Sequence, residues 1–287
     1  MNNARSAGEW AAAFDASAVG PDKVVPLAEA LRRAVRPGMA LHFGFTHNRP
    51  SAAMAELCRQ WRDRRPGFTM LSLFTAGPAV ALLTEGLVRR LITTLVLEPY
   101  PAPTPSEPAR RAMAAGGIDI EHWSVLSYVA RLEASARGLP GLPVRGLAGS
   151  SMADNDGVQT RDDGTVWVPA LAPDLSFMHA PCADRFGNVL LSPPYGEGVY
   201  GALAAREGVV VTAERLVEPE VIHRNAHLPG IPSSHVRSVS VVPFGAHPAG
   251  NFSQAIDRFV PYGNDSDFME ECRAAQRTED SFDAWVR

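Results

Sequence analysis

Lysine is almost missing from this sequence: Lys23 is the only one, and arginine carries the rest of the 27 basic charges. A GC-rich genome accounts for that bias as readily as any function does. Basic excess is missing too, since the formal net charge is -4, which leaves no electrostatic footprint for nucleic acid. No apolar run approaches the roughly 20 residues a membrane-spanning helix needs. The opening "MNNARSAGEWAAAFDASAVG" lacks a basic start followed by an apolar core, so no secretory signal is expected there. Cys58, Cys182 and Cys272 are few, far apart and without a Cys-x-x-Cys pair. That spacing excludes an obvious zinc site or disulfide framework and fits a reducing, cytoplasmic setting. Glycine fingerprints of nucleotide binding are absent, as are a Gly-x-Ser-x-Gly elbow and a His-Glu-x-x-His pair.

What is present is an ordinary globular composition, 46% hydrophobic and 20% charged over 287 residues, long enough for a sizeable core. After a lead of residues 1–20, the pattern predicts one α/β domain over 21–287. Val25, Ala28, Leu31 and Val35 fall at helical spacing, and "MALHFGF" reads as a buried strand. Pro50 suits the first turn of a helix running to about Arg62. "FTMLSLFTAG", "PAVALL", "RRLITTLVLEP" and "SEPARRAMAAG" continue as strand, helix, strand and helix. In "HWSVLSYVARLEASARG" a fifth helix is expected, with Trp123, Leu126, Val129 and Leu132 on one face. This alternation leaves no room for hairpins and predicts an open, mainly parallel sheet with helices on both faces. From Leu139 to about Thr165 the chain is rich in Gly, Pro and Asp and reads as an excursion outside the core. Beyond it, strands are expected in "VWVPAL", "DLSFMHA", "VLL", "VVVTAE" and "HVRSVSVV". A Gly-rich helix is expected in "EGVYGALAAREG" and a terminal helix from Asp265 to Arg287.

Most polar clusters have plain readings. Glu220, His223 and His227 lie at helical spacings that suit a metal, but a lone Glu-x-x-His more often ends a solvated helix. Ser150 and Ser151 have neither a nearby histidine nor elbow glycines and read as a turn. His179, inside an apolar strand, reads as a satisfied core histidine. "FGFTHNRP" differs in its context, because it joins the carboxyl end of a strand to a helix N-terminus, where open α/β sheets bind ligands. Unpaired amides and the helix dipole there favour negative charge. Gly44 allows close approach, and Arg49 adds a charged donor. A plain strand-to-helix turn with solvated polar residues is the competing reading.

"RPGMALHFGFTHNRPSA" resembles the first signature of the family I CoA-transferases, with Phe43-Gly44-Phe45 where that family has Gly-Gly-Phe and Pro50 as its closing proline. "APDLSFMHAPCADRFGNVL" is similar to a later family pattern, at Pro173, Asp174, His179, Asp184, Gly187 and Asn188. The loop at Pro243, Gly245, Ala246, His247 and Pro248 matches Pro-x-Gly-Ala-x-Pro. These pieces follow the order of the family's A (alpha) subunit, of the glutaconate type, over about Pro21 to Cys272.

The resemblance implies an A (alpha) subunit that works on an acyl-CoA thioester, with coenzyme A as part of the substrate and no covalently bound cofactor. It implies a B (beta) partner in a heterodimer or heterotetramer, whose glutamate in a Ser-Glu-Asn-Gly motif is the nucleophile; this chain has no such motif. On this chain the expected oxyanion contacts are Gly44, Phe45 and Thr46. The expected substrate-binding residues are His47, Arg49, Thr75, Gly77 and Glu98. A CoA-thioester hydrolase or decarboxylase on the same scaffold, or a noncatalytic acyl-CoA-binding subunit, are the alternatives. Ser124 and Val125 stand where a ring-opening relative would place an acid.

Overall fold

The computed structural model describes residues 20–45, 49–98, 103–191, 193, 195–252, 256 and 259–275. The first half alternates strand and helix: α1 Leu27–Ala34, β1 Ala40–Phe43, α2 Ser51–Trp61, β2 Phe68–Thr75, α3 Pro78–Thr84, β3 Val88–Val96, α4 Glu107–Ala114, β4 Asp119–His122 and α5 Val125–Ala136. The second half adds β5 Gly141–Val144, β6 Gln159–Thr160, β7 Val166–Pro169, β8 Leu175–Ala183, β9 Val189–Leu190, α6 Gly198–Ala204, β10 Val209–Leu216, α7 Pro219–Arg224, β11 Gly230–Ile231, β12 Val236–Val241 and α8 Ser266–Ala275.

Parallel strands run in the order β12-β10-β8-β1-β2-β3-β4, and β9 and β11 extend the sheet antiparallel. The chain therefore builds outward from β1 to β4 on one side and from β8 to β12 on the other. Strand order reverses between β1 and β8, and the carboxyl ends beside such a reversal are where open α/β sheets bind ligands. All nine residues of β8 are buried, as a central strand covered on both faces requires.

Side chains alternate across each strand. Leu41, Phe43, Phe68, Met70 and Leu91 face a core shared with α1 to α4. Leu71, Leu73 and Ile92 face a second core with Trp123, Tyr128 and Leu132. The open, mainly parallel α/β sheet predicted from the alternation is the fold.

Two local expectations are corrected. The segment from Leu139 to Thr165 is not wholly outside the core: it contributes β5 and β6 to a separate antiparallel sheet of order β5-β7-β6. Val144 and Leu147 are buried there. Strands of four and two residues are too short to show a period of two, so the Gly and Pro content masked them. The second correction concerns Trp123, which directly follows β4 and precedes α5. Ser124 caps that helix by accepting the Ser127 N–H at 3.1 Å, so Leu126 turns outward and is 61% exposed. Of the expected terminal helix, Ser266–Ala275 is helical and the remainder lies outside the described residues.

Candidate active site

Two amides after β1 are already paired within the fold. Gly44 donates its N–H to Phe177 O at 3.0 Å, extending the ladder to β8. Phe45 donates its N–H to Glu197 Oε1 at 3.0 Å. The expectation that these two amides stand open to a thioester oxygen is corrected: a buried amide takes the nearest acceptor, and both found one in the fold. Thr46 and His47 lie outside the described residues. Arg49 is partly buried, with its guanidinium 4.1 Å above the Phe45 ring. Burial pulls its pKa down from the usual arginine range, opposed by the charges of Glu98 and Glu197.

Glu197 has a fully buried side chain, with Oε1 3.8 Å from His42 Nε2. His42 Nδ1 is 2.8 Å from Ser176 Oγ. Burial, with the Glu197 charge behind it, pushes the nearby Tyr128 phenol well above its usual range. Nothing in "SPPYGEGVYG" marks Glu197 in advance; only folding brings it beneath the turn.

A second glutamate does the same for the turn after β2. Gly77, at φ +55°, donates its N–H to Glu98 Oε1 at 2.9 Å. The left-handed φ explains why glycine stands there. Arg49 thus feels the charge of two carboxylates, each accepting one backbone N–H of a strand-to-helix turn. Thr75 is expected beside them, yet it is fully buried and its Oγ1 lies 3.3 Å from Thr93 Oγ1. It braces β2 against β3 and does not line the opening.

Gly77 and Glu98 do line a cavity of about 710 Å³, a size suited to a ligand of tens of heavy atoms. Its walls come from the N-terminal end of α2, from the length of α3, from α4, from the loop bearing Phe244 and His247, and from α8. The loop is tied to α2: Ala52 N–H donates to Gly245 O at 2.9 Å and Ser51 Oγ donates to Ala246 O at 2.8 Å.

Beneath that loop lies a polar node absent from the sequence expectations. Glu214 Oε1 accepts the Tyr262 hydroxyl at 2.6 Å and lies 2.7 Å from His179 Nε2, while Oε2 accepts the Phe244 N–H at 2.8 Å. His179 Nδ1 is 2.9 Å from Thr212 Oγ1, so His179 is the bonded core histidine its apolar strand predicts. Thr212 and Glu214 sit two apart on β10, hence on one face, and Thr212 pairs in register with His179. That spacing is the one sequence signal that points to the node.

Burial alone would raise the Glu214 carboxyl, but the His179 and Tyr262 bonds and the Phe244 amide outweigh it and hold the group below its ordinary range. Glu121 is likewise held low against burial, by Arg90, Trp123 and Arg131. A carboxyl depressed in the folded state stabilises above its unfolded pKa, and the contribution is lost as pH falls through the folded one. The denaturant midpoint is therefore expected to drop once pH falls below the ordinary glutamate value of 4.5. Glu214→Gln should flatten part of that acid limb; parallel limbs for the variant and wild type would refute the assignment.

Other candidates keep their plain readings. Ser150 Oγ donates to Leu147 O at 2.7 Å within a turn. Glu220, His223 and His227 are exposed at and just after α7, and no metal-binding group occurs among the described residues. No helix among them is long and apolar enough to cross a membrane.

Known proteins are similar to this chain in sequence and in fold. Residues 24–238 match the family model described as Coenzyme A transferase. The chain is 29% identical to the A chain of the 3-oxoadipate CoA-transferase of Pseudomonas knackmussii, covering 92% of each polypeptide. It is 27% identical to the corresponding polypeptide of the glutaconate CoA-transferase of Acidaminococcus fermentans, over 92% of this chain and 87% of that one. The crystal structure of glutaconate coenzyme A-transferase from Acidaminococcus fermentans superposes with a TM-score of 0.77 at 26% identity, over 92% of this chain and 87% of that one.

Proposed function

We propose that this chain, which belongs to the coenzyme A transferase family, is the A (alpha) subunit of a two-subunit enzyme that moves coenzyme A from an acyl thioester to an acceptor carboxylate. One observation carries the placement of substrate: the 710 Å³ cavity opens at the carboxyl ends of β2 and β3 and is lined by Gly77 and Glu98. The attacking carboxylate comes from the B (beta) subunit. It adds to the thioester carbonyl and expels the CoA thiolate, leaving an acyl anhydride. The thiolate then attacks the enzyme's own carbonyl, which releases the first acid and leaves an enzyme-CoA thioester for the acceptor. This chain's part is to bind, orient and exclude water, through two strand-to-helix turns fixed by Glu98 and Glu197. Thr46, His47 and Arg49 are proposed as further substrate contacts of this chain.

The test is co-expression with the beta partner, followed by mass spectrometry of products from a panel of acyl-CoAs and acceptor acids. Transfer by the pair and none by the isolated chain is the expected result. Free CoA with hydrolysed acid, or carbon dioxide, would replace transfer by hydrolysis or decarboxylation.

Cavity occupancy has its own readout. Burial pushes the thiols of Cys58 and Cys182 up to about 12 and about 11, so both should resist alkylation. Cys272 is half-buried and lines the cavity. Acyl-CoA bound to the pair is expected to slow iodoacetamide labelling of Cys272; labelling at an unchanged rate would place the ligand elsewhere.

Glu98 is assigned a positioning role. Glu98→Gln keeps an oxygen for the Gly77 amide, whereas Glu98→Ala removes it. A hydrogen bond to a charged group is worth about 1.5–3 kcal/mol, so kcat/KM for the alanine variant should fall about tenfold or more. The glutamine variant should stay within about threefold of wild type. Equal losses in both would assign the carboxylate to the chemistry instead.

A further inference from the structure

Phe244 holds a backbone conformation that its own packing does not explain. Its φ is +57°, a left-handed backbone that costs a bulky residue free energy and that glycine adopts freely. Its ring is 64% exposed, so no core burial offsets the cost. Strain of this kind persists only where the surroundings over-determine it, and here they do. The Phe244 N–H is fixed by Glu214 Oε2. Its ring packs 5.1 Å, centroid to centroid, from Tyr262, whose hydroxyl is bonded to Glu214 Oε1. The next residue is clamped as well. A Cβ on Gly245 would stand 2.6 Å from the His179 ring and 2.9 Å from Val242 O, so the loop lies directly on the histidine that Glu214 orients. One buried carboxylate therefore sets the backbone, the supporting ring and the floor under a single exposed phenylalanine.

That phenylalanine forms part of the wall of the 710 Å³ cavity. We infer that Phe244 contacts the acyl group and sets the enzyme's preference for acyl-chain length, and that Glu214 is the positioning residue that holds it in place. The inference rests on the acyl-CoA reading above and adds which part of the substrate this wall reads. An aromatic ring facing a largely apolar cavity gains by covering hydrocarbon and gains little from a two-carbon acyl group. A ring fixed at both backbone and base loses little freedom on contact, so more of the gain reaches the affinity.

The assembled two-subunit enzyme is assayed with acetyl-, butyryl- and hexanoyl-CoA. Phe244→Ala and Phe244→Gly are expected to raise KM for hexanoyl-CoA about tenfold or more, with kcat within about twofold and acetyl-CoA barely affected. Phe244→Leu should recover most of the difference. Glu214→Ala should move KM in the same direction, and combining it with Phe244→Ala should add nothing further, because both remove one contact. Stability must separate from binding: the glycine variant, free of the left-handed penalty, should melt about 2–4 °C above the alanine variant while sharing its KM defect. A purely structural role would instead tie KM to melting temperature.

Three results would overturn the proposal. KM could rise equally for all three thioesters, or the variants could fail to co-purify with the beta partner, which would make Phe244 an intersubunit contact. The glycine and alanine variants could also melt together, which removes the strain argument. Failure of the acyl-CoA reading looks different: the unmutated pair would transfer no member of the wider acyl-CoA panel and leave Cys272 unprotected, and the assignment of Phe244 would fall with it.

Discussion

Replacing Glu121 with alanine is expected to destabilise the fold by about 3–5 kcal/mol, the range for removing one partner of a buried ion pair. Glu121 Oε1 accepts Arg131 Nη1 at 2.7 Å and also the indole N–H of Trp123, while Oε2 accepts Arg90. The Glu121 and Arg131 side chains are only 12% and 8% exposed. Arg131 stacks 4.1 Å over the Trp123 ring and donates Nε–H to Pro169 O at 3.0 Å. Without the carboxylate, a guanidinium stays buried with only a carbonyl and an aromatic face for company. Glu121→Gln, which keeps acceptor geometry without charge, should cost less than alanine. Chemical denaturation of the three proteins decides the matter. A loss below about 1 kcal/mol, typical of an exposed pair, would mean the network is solvated.

Gly201→Ala should cost about 2–3 kcal/mol, near the upper end for overpacking, although alanine is the better helix former by about 1 kcal/mol. Gly201 sits in α6 against β1, and a Cβ there would fall 2.1 Å from His42 Cε1 and 2.4 Å from both ring nitrogens. The imidazole cannot step aside, because it is fully buried and bonded through Nδ1 to Ser176 Oγ. Neighbouring Gly198 has a softer obstacle, the end of the Met178 side chain at 2.6 Å, so Gly198→Ala should cost less. The activity readout matters as much as the melt. Any retreat of α6 carries Glu197 with it, and the Phe45 amide loses its acceptor. A Gly201→Ala protein as stable as wild type would show that helix and strand are not in the close contact described.

Local patterns reached far in this chain. Apolar strands with no polar alternation, prolines at helix starts and the regular alternation of the two dictate a parallel sheet covered on both faces, because each signal acts within a few residues. The same locality explains the misses. Two- and four-residue strands carry no measurable period, so β5 and β6 stayed hidden, and a serine cap moved Trp123 out of its helix. The bend after β1 was legible as a place, since glycine and proline mark strand-to-helix turns. Which amides stay open there was not legible, because that depends on Phe177 and Glu197, more than 130 and 150 positions away. Glu98 and Gly77 could be placed at a sheet edge, but their mutual bond and the cavity above them needed the loop around Phe244 and the helix Ser266–Ala275 to be brought alongside. Short-range preference is written in the order of residues; the pairing of buried charges and the shape of an opening are settled only when distant segments compete for the same donors and the same space.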